Sequence, residues 1–316
     1  MGRLFILGEE HVKADAHSSI HQMLQNNPNL LFLTEKREDV LELRRALTRE
    51  ERQREGSLLG QHQGNFALQD IFNNPSVYHE NIHSIDADGT TSLFLAKKSD
   101  LQIQEFLTSG NPQATISALI PESDRYITLT RDNEGLIGQS NGARLIIREL
   151  RNKIMAQNIA NFMEANPEKD IVVLCGAAHL CRTDMRLDQP TIPTAAEGTY
   201  RRSLLDYLSD KIGSEKIDGV YVEDNPQNFM YRQNLQQISR QIKRLYPEMS
   251  LNSFSENLTD LIEILKPTQQ LDGVLTGAVV TPFLAPQQQI VQPESKAEEI
   301  RKKQEEQKFV GDSSRS

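Results

Sequence analysis

Two stretches of the sequence end an apolar run in the pattern Gly-x-x-His. "LFILGEEHV", Leu4 to Val12, carries Gly8 and His11, and "IVVLCGAAHL", Ile171 to Leu180, carries Gly176 and His179. A further run, "NLLFLTE", ends in the carboxylate of Glu35. Imidazole nitrogens and a carboxylate suit a divalent cation such as Zn, Mn or Co, which would lower the pKa of a bound water toward neutrality. Without a cation, a histidine oriented by a carboxylate can itself act as general base. The residues leave both chemistries open, with His11, Glu35 and His179 as the catalytic and metal-binding candidates. Asp86, at the end of the apolar run in "NIHSIDADG", is a supporting candidate.

The elements that must position these groups follow from the patterning. Short apolar runs alternate with amphipathic stretches, which predicts an α/β fold with a mainly parallel central sheet flanked by helices. Strands are expected at Leu4–Leu7, Asn29–Glu35 after the turn signal "NNPN", in "IHSID", at Ile171–Cys175 and in "DGVYVED". Helices are expected over Val40–Glu55, from Ala143 to the stop at Pro167, over "YRRSLLDYLSDKI" and over "FSENLTDLIEILKP", with a helix and a turn at "SGNP" between residues 101 and 120. "RYITLTRDNEG" reads as a strand or an extended loop. At the carboxy end of a buried parallel strand, glycine permits turns and close approaches that other residues resist. Ligands of open α/β sheets bind at that edge, so His11, Glu35 and His179 are expected to converge there.

Bulk properties set the outer bounds. The chain has 316 residues, 44 acidic against 35 basic side chains and a formal charge of −9, which disfavours nucleic acid as a partner. Cys175 and Cys181 are the only cysteines, so a disulfide framework is not expected and a reducing compartment fits. No apolar run approaches the roughly 18 residues that span a bilayer, and the first run, stopped by Gly8 and two glutamates, does not read as a signal peptide. The expected location is the cytoplasm, or export without a cleaved signal as a secreted bacterial effector. After Pro267 the composition shifts to Gln, Glu, Lys and Ser, so residues 1–266 are expected to form the α/β domain and 267–316 a flexible, charged, disordered tail, most clearly from residue 287.

The motifs "LGEEHVKADAHSSIHQML" and "LFLTEKRED" resemble the paired amino-terminal motifs of the superfamily that holds the erythromycin esterase-like (EreA-like), ChaN-like and TraB/Tiki proteins. "RNKIMAQNIANFMEANPEKDIVVLCGAAHL" is similar to their later motif, which runs Arg, polar residue, Met-Ala, amphipathic helix, apolar strand and Gly-x-x-His. The resemblance implies that His11, Glu35 and His179 are the central residues and that Arg151 orients a carboxylate or stabilises an oxyanion. It places Glu9 and Glu10 in the first motif as supporting acids. His17 and His21, four apart on one helical face, resemble the additional histidines of the haem-binding ChaN-like members, whereas helical geometry does not support the pair His79 and His83. Counterparts of the transmembrane helices of typical TraB proteins and of the signal sequences of Tiki and ChaN proteins are not expected from this sequence, so their membrane roles and protein substrates are not implied.

Three functions are therefore expected in order: a hydrolase that opens an ester or amide bond of a small-molecule or peptide substrate; a haem- or metal-binding protein without turnover; and a bacterial effector or toxin module.

Overall fold

The computed structural model describes residues 2–9, 23–25, 27, 29–35, 81–87, 89–121, 141–184, 200–223 and 229–265. Among them the strands in chain order are β1 (Leu4–Glu9), β2 (Leu31–Thr34), β3 (Ile82–Ser84), β4 (Ile171–Gly176), β5 (Thr183–Asp184), β6 (Tyr200–Arg201), β7 (Gly219–Val222) and β8 (Leu251–Ser253). The helices are α1 (Gly89–Ala96), α2 (Asp100–Thr108), α3 (Pro112–Leu119), α4 (Asn141–Ala165), α5 (Leu204–Ile212), α6 (Phe229–Leu245) and α7 (Phe254–Leu265).

Alternate residues of a strand face opposite sides of the sheet, and a parallel strand covered on both sides is apolar throughout. β1 and β4 show this directly. Leu4 and Ile6 of β1 and Ile171 and Val173 of β4 pack with Met155 and Ile159 of α4, Leu204 and Leu208 of α5, and Ile238 and Ile242 of α6. Their neighbours Phe5, Leu7, Val172 and Leu174 pack on the other face with Met23, Leu24 and, from α7, Leu258, Leu261 and Ile262. Each such side chain contributes about 1.5–3 kcal/mol on burial, so a one-residue slip of either strand would exchange the two sets and is strongly disfavoured. A third cluster joins Leu95, Ile103, Phe106 and Ile116 of α1 to α3 to Ile147, Leu150 and Ile154 of α4.

Six strands form one sheet in the order β3-β2-β4-β1-β7-β8, and every neighbouring pair is parallel. The fold is therefore α/β with helices on both faces, as its patterning predicts. From β1 the chain proceeds to β2 and β3 on one side, and from β4 to β7 and β8 on the other. The adjacent carboxy ends of β1 and β4 thus form the switch point at which such sheets open a crevice.

Local signals fix several helix ends. Ser99 and Gln102 form a capping box on α2, and "SGNP" is the joint at which Asn111 caps α3 with Pro112 in its first turn. The helix expected over "YRRSLLDYLSDKI" begins later, at Leu204, because Tyr200 and Arg201 pair antiparallel with Asp184 and Thr183 and Ser203 caps the helix. α1, α6 and β8 are further elements that the sequence reading does not include. Val40–Glu55 and "RYITLTRDNEG" lie outside the described residues. The chain divides into a unit Met1–Lys266 and a unit Pro267–Ser316, and every described residue belongs to the first. Among the described residues no helix is long and apolar enough to cross a membrane.

Candidate active site at the strand ends

β4 closes at Gly176, and the next four residues, Ala177–Leu180, wind into a 3₁₀ turn that carries His179 into a buried position. Gly8, in β1 beside it, is what lets the turn fit. A Cβ at Gly8 would lie 2.4 Å from Leu180 Cδ1 and 3.2 Å from Ala177 Cα, closer than side chains tolerate. The glycine of the first Gly-x-x-His thus makes room for the turn of the second. Close approach, and not an unusual backbone angle, is the requirement: Gly176 is extended at φ −62° and ψ 133°, and the described glycine with positive φ is Gly213, at the end of α5.

Glu35 follows β2. Its backbone N–H donates to the Leu174 carbonyl at 3.2 Å, continuing the β2–β4 ladder by one residue. That register sets the side chain against β4, where Oε2 accepts from the Gly176 N–H at 2.8 Å and lies 3.4 Å from His179 Nε2. On the far side of the ring, His179 Nδ1 is 2.5 Å from Oδ1 of Asn152, a buried residue of α4. The Asn152 Nδ2 donates in turn to the Arg202 carbonyl at 2.9 Å.

Arg151 precedes Asn152 on the same helix and reaches the end of β3. Its Nε donates to both oxygens of Asp86, at 2.9 and 3.1 Å, and its Nη2 donates to Oδ2 at 2.5 Å. Asp86 is itself held by the Ala87 N–H on Oδ1. Burial would lower the Arg151 pKa, but attraction and hydrogen bonding from Asp86, and then attraction from Glu35 and Cys175, raise it overall. The guanidinium is a fixed positive charge within electrostatic range of Glu35.

Two more acids occupy the same edge. Glu9, the last residue of β1, pairs in register with Gly176, and Glu223, just past β7, donates its backbone N–H to the Gly8 carbonyl. Both are buried. Cys175 lies among these charges, and its thiol is pushed well above the ordinary range by burial and then by Glu35 and Glu9. Such a thiol stays protonated and is a poor nucleophile. Cys175 and Cys181 are free and buried, as a chain without disulfides requires.

The structure therefore brings together Glu35 and His179, sets Glu9 on the adjoining strand, and ties Arg151 to Asp86. Glu10 and His11 lie outside the described residues, as do His17, His21 and His79. His83 sits on β3 against the Phe162 ring, 5.2 Å between centroids. Among the described residues no group of three or more His, Cys, Asp or Glu side chains is arranged to hold a metal ion, and two of the three expected donors, Glu35 and His179, belong to those residues. Asn152 and Glu223 are new members of the site. Glu223 carries a signal that would have found it, an acid closing an apolar run as in "LFLTE", whereas Asn152 resembles any polar helix residue.

No family model matches the chain, and no curated protein matches it. Among solved structures, one similar fold is that of the erythromycin esterase EreC, a histidine-to-asparagine mutant in its open conformation, at 13% identity and a TM-score of 0.32 over 70% of each chain.

Proposed function

We propose that the chain is a hydrolase that opens an ester or amide bond with water activated at His179 and Glu35. The observation that carries this reading is the 3.4 Å approach of the buried His179 Nε2 to Oε2 of the partly buried Glu35 at the switch point of a parallel sheet. In the reaction, Nε2 takes a proton from water as the water oxygen bonds to the substrate carbonyl carbon. The positive charge that develops on the imidazole is stabilised by the Glu35 carboxylate, which the Gly176 N–H holds in place. The tetrahedral oxyanion collapses, the carbon–oxygen or carbon–nitrogen bond to the leaving group breaks, and that group leaves with the proton from His179.

Arg151 offers fixed positive charge to the oxyanion from the rim of the site, and Asp86 holds it in position. His11, two residues beyond β1, completes the proposed set. Glu35 and His179, with His11, are also donors of the types that hold a divalent cation, which when bound would supply an acidified water. The expected substrates are small molecules or peptides.

A screen of aryl esters, alkyl esters and peptide amides tests the reading, run on purified protein with and without a chelator and again with Zn, Mn, Co or haem added. Turnover that falls in the Glu35→Gln variant supports it. Absence of turnover of every substrate under all conditions, with stoichiometric binding of haem or metal, would replace it with a binding function.

A further inference from the structure

We infer that Asn152 is a positioning residue that holds His179 in the tautomer with its proton on Nδ1, which makes Nε2 the basic atom beside Glu35. The catalytic consequence rests on the hydrolase reading; the tautomer itself does not.

A neutral imidazole carries one N–H, and the partner of one nitrogen decides which nitrogen bears it. The amide of Asn152 is oriented by a second bond. Its Nδ2 donates to the Arg202 carbonyl at 2.9 Å, and a flipped amide would set two carbonyl oxygens against each other. Oδ1 therefore faces His179 Nδ1, at 2.5 Å. An amide oxygen only accepts, so Nδ1 is the donor. Asn152 is 2% exposed and His179 5% exposed, so solvent does not compete for the bond.

The anchor is itself braced. Arg202 donates from Nη2 to the Asp206 carbonyl and to Asp210, and its guanidinium lies 4.4 Å from the centroid of the Tyr207 ring. Adjacent residues of α4 thus serve the ends of two strands, with Arg151 reaching Asp86 beyond β3 and Asn152 reaching His179 beyond β4. Free imidazole side chains in water favour the opposite tautomer, with the proton on Nε2. In that form the nitrogen facing Glu35 could not accept a proton from water.

The test is a nitrogen-15 correlation spectrum of histidine-labelled full-length protein, at a pH that keeps the ring neutral, with the His179 signals assigned by their loss in His179→Gln. The expected wild-type pattern has a protonated Nδ1 and an unprotonated Nε2. Asn152→Leu removes the acceptor and should shift His179 toward the Nε2–H form. Asn152→Asp restores an acceptor and should return the Nδ1–H form. On the best substrate found, Asn152→Leu should lower kcat about 10- to 100-fold, the scale for lost outer partners of functional histidines, with KM little changed. A wild-type His179 protonated on Nε2, or one that keeps its Nδ1–H pattern in Asn152→Leu, overturns the inference. Because the wild-type spectrum alone can overturn it, failure of a variant to fold does not protect it. The expected tautomers together with no hydrolysis would uphold the positioning role and reject the hydrolase reading.

Discussion

Two buried polar clusters lie near β4 and differ in how their charges are used. Beside the helices, Asp206 receives Arg182 Nε and Nη2, the Tyr246 hydroxyl, and both the N–H and the hydroxyl of Ser203, all between 2.6 and 3.1 Å. Gln241 adds a bond to each side of the Arg182 backbone. The Ser203 bonds cap α5 and the others join it to the Arg182 segment and to the end of α6, so the cluster is a brace. At the strand ends, the His179 ring has a short, fixed partner on Nδ1 and a longer 3.4 Å approach to a carboxylate on Nε2, the atom able to exchange a proton. Short charge-assisted bonds that saturate both partners hold a structure together. A titratable ring pinned on one side and facing a carboxylate on the other is arranged for proton transfer.

Substitutions should separate the clusters by what they damage. Glu35→Gln is expected to cut turnover about 10²- to 10⁴-fold, the range for a lost acid–base partner, with the melting temperature near that of the parent. Combining it with His179→Gln should add little, because members of one catalytic unit are not additive. A variant that unfolds, yet keeps full turnover per folded molecule, would make Glu35 another brace.

Asp206→Ala should do the reverse and destabilise by about 3–5 kcal/mol, since it removes the buried carboxylate on which the partly buried Arg182, the Tyr246 hydroxyl and Ser203 all converge. Urea unfolding measures the loss, and turnover per folded molecule should be unchanged. The same carboxylate predicts a pH dependence. Burial pushes the Asp206 carboxyl up, but hydrogen bonds from Arg182, Tyr246 and the Ser203 backbone outweigh this and hold it below its ordinary value. With the folded pKa depressed, its contribution is complete above the unfolded carboxylate value of about 3.9 and is lost as pH falls through the lower folded value. The stability gap between wild type and Asp206→Asn should therefore narrow on acidification, and a widening gap would contradict the assignment.

Gly8→Ala should destabilise less than Asp206→Ala, by about 1–3 kcal/mol for overpacking, because its Cβ meets the rotatable end of the Leu180 side chain as well as the backbone of Ala177. The displaced turn carries His179, so turnover should fall further than stability alone explains. Equal losses in both would remove the link between the two glycine motifs.

How much of this was legible depends on where each signal resides. β1 and β4 read clearly because burial on both faces leaves unbroken apolar runs, and α4 reads clearly because Ile147, Leu150 and Ile154 recur at helical spacing. β8 does not, since "LNS" is a short, half-buried edge strand. α6 hides the buried anchors Leu235, Ile238 and Ile242 among glutamines and basic residues. The strand-end positions of Glu35 and His179 were visible as a pattern. Their convergence on one sheet edge follows from that pattern, whereas the 3.4 Å contact itself depends on β2 lying next to β4, a neighbour relation that no local stretch encodes. Asn152 was hidden for the same reason: its burial and both of its bonds come from residues distant in sequence.

The most direct test of the central claim compares wild type and His179→Gln on the best ester or amide found, with kcat/KM and melting temperature measured on the same preparations. A 10²-fold or greater loss of kcat/KM on the general-base scale, at an unchanged melting temperature, is the predicted result. A folded His179→Gln protein that hydrolyses the substrate as fast as wild type would contradict the account.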